Sequence, residues 1–266
     1  MTITVVKVGG AIVEDEQQLQ QLICDFSKIE GPKVLVHGGG RRATKVAAQL
    51  GIESHMVGGR RITDAQMLEV VTMVYGGLVN KHLVAMLQAQ GVNATGLTGA
   101  DMDVIRSHRR PLKTMVVDGI EQKVDFGFVG DVDRADGQAL MLLLKQGITP
   151  VIAPLTHDGN GNILNTNADT MASAVACALA AEPDTTVTLI YSFEKRGVLA
   201  NPDDDDSVIP VITHESFQQL KANGTISGGM LPKIENALAA IDNGVNRVII
   251  TLATAIGGDE GTVIRR

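Results

Sequence analysis

Two lysines, a pair of arginines and two glycine clusters are the residues of this chain whose types and spacing suit chemistry. Lys7-Val8-Gly9-Gly10 and His37-Gly38-Gly39-Gly40 each follow an apolar run of strand length. Glycine at a strand-to-helix turn lets backbone N–H groups approach an anion with no side chain in the way. A single Gly-Gly pair is as readily a plain tight turn. Two clusters at the tops of adjacent strands, one with a lysine two residues earlier, read as an anion site.

Three further segments add polar groups. Gly59-Arg60-Arg61-Ile62-Thr63 sets paired arginines just before a helix, with Thr63 or Asp64 as its N-cap. The flat arginine fork suits a bidentate carboxylate contact, although alone the pair reads as two solvated side chains. Asn165-Thr166-Asn167-Ala168-Asp169 ends a hairpin and opens a helix. Gly228-Gly229-Met230-Leu231-Pro232-Lys233 starts another, with Pro232 in its first turn. A lysine there opposes the helix dipole, a local cost that a bound polyphosphate would offset. Gly38 to Ala43 also satisfies G-x-G-x-x-A, but no strand-ending carboxylate follows about 20 residues on, as a dinucleotide site requires. The Walker pattern G-x-x-x-x-G-K-[ST] is absent from the sequence.

These segments must be held by regular elements. Strand-length apolar runs at Ile3–Val8, Val34–His37, Thr149–Ala153, Val187–Tyr191 and Arg247–Thr251 alternate with helix-period segments. The latter lie at Glu14–Ile29, Arg41–Leu50, Ala65–Gln90, Asp133–Lys145, Ala168–Ala181, Thr213–Asn223 and Leu231–Asn243. Such alternation predicts an α/β fold: an open, mainly parallel sheet with helices on both faces. Thr114–Val129 reads as a β-hairpin turning at Asp118-Gly119, and Leu155–Asn165 as a second, glycine-turned one. Insertions of this kind cluster beyond the C-terminal ends of the strands, where open sheets bind ligands.

Composition agrees. Hydrophobic residues are 44% of the 266 but aromatics only 3%, so the core must be Val, Ile, Leu, Ala and Met. A formal charge of −7 argues against a polyanion surface and hence against nucleic acid, while leaving room for one cationic pocket. Cys24 and Cys177 sit in apolar helical stretches and read as buried core thiols, which suits a reducing, cytoplasmic setting. No export signal opens the chain, and no apolar run of about 18 residues suggests a membrane span. The acidic run Asp203–Asp206 reads as a solvated loop.

Taken in order, K-x-G-G at Lys7, H-G-G-G at His37, G-x-R-I-T at Gly59, N-x-N-A-D at Asn165 and G-G-M-x-x-K at Gly228 resemble the amino-acid kinase family. Within it they resemble the kinases of N-acylated glutamate. The likeness runs from Lys7 to Lys233 and resumes at Gly261–Ile264. It implies a three-layer α/β/α sandwich and transfer of the ATP γ-phosphoryl, with Mg²⁺, to the γ-carboxylate of N-acetyl-L-glutamate in arginine biosynthesis. It implies Lys7, Lys233 and Asp169 as the catalytic set, the aspartate orienting the lysines. Gly9, Gly10, Gly229 and Met230 would then meet the nucleotide. Gly38, Gly39, Gly40, Arg61 and Asn165 would meet the acyl-glutamate, with Arg61 on its α-carboxylate. A homodimer is implied, with an acyl-glutamate lobe at residues 1–175 and an ATP lobe at 176–266. The accepting carboxylate, with an ordinary pKa of ~4.3, is already ionised at neutral pH, so no general base is required. Mg²⁺ would be held by phosphate oxygens and water, with no protein metal cage.

Two stretches depart from the family pattern. Ser192-Phe193-Glu194-Lys195-Arg196-Gly197 lacks the usual aspartate and carries an extra residue; Glu194 stands as its replacement. Few residues separate the strand at Arg247–Thr251 from Gly261, where relatives commonly insert a helix. The chain opens at the first strand, which leads to the expectation of a dimer without arginine feedback. The extra cations Arg41, Arg42, Lys45 and Arg60 leave N-succinyl-L-glutamate as an alternative acceptor, through Arg42. A nucleotide-binding regulatory protein without catalysis is the alternative of another class.

Overall fold

The computed structural model describes residues 1–266 apart from Asp118, Gly229 and Asp259, and apart from the side chains of Val117 and Pro232. The expected turn residue Asp118 and nucleotide contact Gly229 therefore lie outside the described residues, as does the side chain of Pro232.

The strands of the central sheet are β1 (Thr2–Val8), β2 (Lys33–His37), β3 (Ala94–Leu97), β4 (Thr149–Ile152), β5 (Thr186–Phe193), β6 (Val211–Ile212), β7 (Arg247–Leu252) and β8 (Thr262–Ile264). Their order across the sheet is β6-β8-β7-β5-β1-β2-β4-β3, with every neighbouring pair parallel except β7 and β8. Because side chains alternate along a strand, a parallel sheet covered on both faces needs two cores. Ile3, Val5, Leu189 and Ile250 pack to one side with Val175 and Ile234. Val6, Val8, Leu35 and Ile190 pack to the other with Leu22, Val70 and Leu83.

The helices are α1 (Gly10–Glu14), α2 (Glu16–Lys28), α3 (Gly40–Gln49), α4 (Ala65–Val71) continued by α5 (Asn80–Ala89), α6 (Gly137–Lys145), α7 (Ala168–Ala180), α8 (His214–Ala222) and α9 (Met230–Asp242). The expected Glu14–Ile29 helix is divided at Asp15, whose extended backbone ends α1 while its carboxylate accepts from Gln18 N and caps α2. The expected helix at Asp133–Lys145 starts late. Asp133 and Arg134 belong to a strand, Gly130–Ala135, paired with Ile105–Arg109, and Asp136 caps the helix from Gly137. The leucine run fixed the helix, but D-V-D-R-A alternates with period two, which is a strand signal.

Between α4 and α5, Thr72–Val79 winds as a π-helix. The 25-residue helical stretch Ala65–Ala89 is by length and composition long and apolar enough to cross a membrane, although Glu69, Lys81 and His82 interrupt its apolar run. It buries Met67, Val70, Val71, Leu83 and Leu87 in the second core, as a core helix does. Both insertions form hairpins: Lys113–Val117 with Ile120–Val124, shorter than expected, and Leu155–His157 with Ile163–Asn165. Cys24 and Cys177 are free thiols, each half-buried rather than buried as expected. Asp203–Asp206 is exposed, with Asp205 on Lys195 and Asp206 on Arg196.

Candidate functional site

Lys7 comes one residue before the end of β1, flanked by Tyr191 of β5 and Val36 of β2. Its ammonium lies 2.7 Å from Oδ1 of Asp169, and the two side chains are 12% and 25% exposed. Asp169 is in the first turn of α7, where an anion matches the helix dipole, and Asn167 caps that helix through Asp169 N and Thr170 N. Burial raises the Asp169 carboxyl pKa, but Lys7 and then Lys233 draw it down, leaving it below the ordinary range. Lys233, in the first turn of α9, stands 4.2 Å from the centroid of the Phe193 ring. Burial depresses its pKa, Asp169 opposes the shift, Lys7 adds to it and Glu194 opposes it again. The aspartate is thus the shared counter-ion of two lysines that would otherwise repel.

The glycine loops meet face to face. A Cβ on Gly38 would lie 3.0 Å from Gly10 N, and one on Gly10 would lie 3.5 Å from both Gly39 N and Gly40 N. Gly39 is extended, so its requirement is space: a Cβ there would come within 2.8 Å of Cδ1 of Tyr75. The two loops therefore present amides to one shared gap, as an anion site needs.

Beside that gap is a cavity of about 240 Å³ lined by Gly38, Gly39, Gly40, Arg61, Tyr75 and Asn165, with Arg60 and Arg110 also on its wall. Arg61 donates through Nη2 to Gly40 O (2.9 Å) and Thr44 Oγ1 (2.8 Å), and through Nη1 to Ser54 Oγ (2.7 Å). It pairs with no carboxylate among the described residues, so its charge is held in place and left for an anionic ligand. Asp64, not Thr63, caps α4. Thr63 is buried and accepts from Asn165 Nδ2 at 2.9 Å, which fixes the amide on the cavity wall. Arg110 is held on Asp131 and over the Phe126 ring.

On the other side of the gap, a recess of about 340 Å³ is lined by Lys7, Gly9, Gly10, Arg41, Glu194 and Lys233. A smaller, largely apolar recess of about 220 Å³ adjoins it through Phe193, with Val198, Leu199, Pro202, Ile226 and Met230. Met230 thus faces the apolar recess, and Glu194 the polar one. A larger hollow, about 850 Å³, lies around Thr2, Thr188 and Arg247 and contains none of the expected site residues.

The sequence did not single out Tyr75 or Arg110. Tyr75 is one of only two tyrosines, and its place beside Gly76-Gly77 was the available signal. Of the extra cations, Arg60 stays on the cavity wall and the other three point elsewhere. Arg41 meets Glu194 at 3.3 Å, Lys45 meets Glu14 at 2.7 Å, and Arg42 lines a separate groove with Glu14 and His82. The expected route to an added substrate carboxylate through Arg42 is therefore not supported, because α3 turns that residue away from the cavity. Among the described residues no group of three or more His, Cys, Asp or Glu could hold a metal ion.

Comparison with known proteins places the chain in a family. Residues 2–252 match the amino acid kinase family. The chain is 62% identical over 264 residues to the acetylglutamate kinase of Phocaeicola vulgatus, covering 99% of this chain and 98% of that one. Among solved structures, smu.665 from Streptococcus mutans superposes with a TM-score of 0.74 at 29% identity, covering 99% of this chain and 98% of that one. The N-acetylglutamate synthase of Neisseria gonorrhoeae, complexed with coenzyme A and N-acetyl-glutamate, gives 0.77 at 25% identity over 99% of this chain and 59% of that one. This chain belongs to the amino acid kinase family.

Proposed function

We propose that the chain is an ATP-dependent acetylglutamate kinase, transferring the γ-phosphoryl of ATP to the γ-carboxylate of N-acetyl-L-glutamate in arginine biosynthesis. The observation that carries this is the 62% identity, over nearly the whole of both chains, to an acetylglutamate kinase. The geometry of the gap between the glycine loops supports it. The α-carboxylate of the acceptor pairs with Arg61, helped by Asn165. Its γ-carboxylate points at the gap beside Gly38, Gly39 and Gly40. ATP places its phosphates by Lys7, Gly9, Gly10 and Lys233 and its base in the apolar recess at Met230. In these terms residues 1–175 carry the acceptor and 176–266 most of the nucleotide.

An ionised γ-carboxylate oxygen attacks the γ-phosphorus in line. The new P–O bond forms as the bond to the β,γ-bridging oxygen breaks, and ADP leaves with that electron pair. No proton has to move. The barrier comes from bringing an anion to an anion, and it is lowered by Lys7, Lys233 and the converging amides, which neutralise charge on the transferring group. Mg²⁺ arrives as part of the MgATP substrate. With Asp169 committed to two lysines, phosphate oxygens and water are its expected ligands. The acetyl acceptor is favoured by the likeness to an acetylglutamate kinase, and Arg42, the expected contact for a succinyl carboxylate, faces away from the cavity.

Two further elements of the reading are a homodimer and a cytoplasmic location. The dimer is supported by Met73 and Leu78, 55% and 49% exposed on the long helix. A monomer in sedimentation would contradict it. The location is supported by the two free cysteines, and recovery with membranes would contradict it. The reaction is tested by coupling ADP formation to NADH oxidation. N-acetyl-L-glutamate should support turnover and free glutamate should not; equal rates with and without acceptor would refute the reading.

A further inference from the structure

His37, the last residue of β2, is fully buried between the triglycine loop and the long helix. Its Nδ1 lies 2.8 Å from the carbonyl oxygen of Gly38, and its Nε2 lies 3.2 Å from Nδ2 of Asn80. A carbonyl oxygen only accepts, so Nδ1 carries the proton and Nε2 accepts from Asn80. Burial pushes the ring's pKa down to about 4, so the imidazole is neutral at neutral pH and adds no charge to the site.

Asn80, 1% exposed, holds the ring. Its second N–H donates to Val151 O of β4 at 2.9 Å, and its Oδ1 accepts from Lys81 Nζ, which also donates to Gly96 O of β3. The tops of β2, β3 and β4 are thereby tied to the first turn of α5. The π-wound segment that precedes Asn80 brings this about. In an α-helix residues five apart are about 140° apart around the axis. The wider turn of a π-helix, with its i→i+5 bonds, brings them much nearer to one face. Tyr75 and Asn80 are five apart, and both reach the same loop, Tyr75 against Gly39 and Asn80 through His37.

The consequence lies in one peptide plane. In a trans peptide the carbonyl of one residue and the N–H of the next point in opposite directions. Drawing the Gly38 carbonyl toward His37 therefore turns the Gly39 N–H away from it, and Gly39 N itself lies beside Gly10, 3.5 Å from where a Cβ on that residue would stand. Among the described residues that N–H has no acceptor.

We propose that His37, held by Asn80, is a positioning residue that aims the Gly39 N–H at the transferring phosphoryl group. The proposal rests on the reading that the phosphoryl group passes between the two glycine loops. An amide aimed before substrate arrives stabilises charge with no reorganisation at the moment of reaction, so its loss should fall on kcat rather than on nucleotide binding.

Two near-isosteric variants separate positioning from packing. The amide nitrogen of His37→Asn falls near the Nδ1 position and can still donate to Gly38. That of His37→Gln falls near Nε2 and cannot. With kcat counted per ATP-binding site, His37→Asn should stay within about threefold of wild type. His37→Gln should lose about 30-fold, with the Kd for ATP unchanged within about twofold in both. Asn80→Ala, which leaves the ring in place but unheld, should lose about tenfold in kcat with ATP binding likewise kept. Equal kcat in the two His37 variants would overturn the proposal, as would an undiminished kcat in Asn80→Ala. Wild-type enzyme that fails to turn over N-acetyl-L-glutamate would refute the proposed function instead, so the two failures are distinguishable.

Discussion

Replacing Asp169 by asparagine keeps the shape of the side chain and removes its charge. Two lysines then share a cleft without a counter-ion. Lys7 Nζ is 2.7 Å from the carboxylate, and Asp169 is also the strongest influence opposing the downward shift of Lys233. At an effective dielectric of about 20, unit charges ~4 Å apart attract by roughly 4 kcal/mol, an upper bound because the site is partly solvated. Lost positioning of even one cation costs about 10²–10³ in kcat by analogy with removing a preorganised donor. The pH dependence adds a sign. Lys233 is useful only when protonated, and without Asp169 its pKa, already depressed by burial, falls further. The alkaline limb of kcat should therefore move to lower pH in Asp169→Asn. Steady-state kcat measured from neutrality into the ordinary lysine range checks both effects. An alkaline limb that stays put or moves up, or a kcat within threefold of wild type, would refute the reasoning.

Other expectations follow from the same contacts. Arg61→Lys should raise the KM for acetylglutamate at least tenfold and leave that for ATP unchanged, because an ammonium cannot reproduce the fork that meets a carboxylate; initial-rate kinetics decide it. Gly39→Ala places a methyl group about 2.8 Å from the Tyr75 ring, so it should destabilise by about 1–3 kcal/mol and reduce kcat; denaturant titration and turnover measure the two losses. His37 has a folded pKa of about 4 against an ordinary 6.5, so the folded state binds fewer protons than the unfolded one between those values. The associated stability is complete above about pH 6.5 and is lost as pH falls toward 4. It amounts to about 2 kcal/mol between pH 7 and 5, a decrement that His37→Asn should lack in paired denaturant titrations.

Much of this was legible in the residues. Glycines directly after apolar strands mark where a chain must turn and what it can hold, so Lys7, Gly9 and Gly38 to Gly40 could be placed without coordinates. Lys233 was betrayed by its position against the helix dipole, and it does stand beside Asp169 and Phe193. Less legible were the short strands. Ala94–Leu97 is four residues with a glycine inside, and it is held by its neighbour Thr149–Ile152 rather than by its own pattern. The π-wound segment has no sequence signature beyond Gly76-Gly77, yet it decides that Tyr75 and Asn80 face one loop. Arg41, Arg42 and Lys45 could be read two ways from the sequence. Their nearness to the triglycine loop left solvated side chains or acceptor recognition as readings, and the helix that begins at Gly40 points them at Glu194, Glu14 and open groove, as the first requires.

The most direct test traps the product. Purified protein is incubated with MgATP, hydroxylamine and N-acetyl-, N-succinyl- or free L-glutamate, and the hydroxamate is measured. The account predicts hydroxamate from N-acetyl-L-glutamate, matched mole for mole by ADP, and none from free glutamate, which carries an α-ammonium in place of the neutral acyl amide. ADP without hydroxamate, or hydroxamate chiefly from the succinyl or free amino acid, would contradict it.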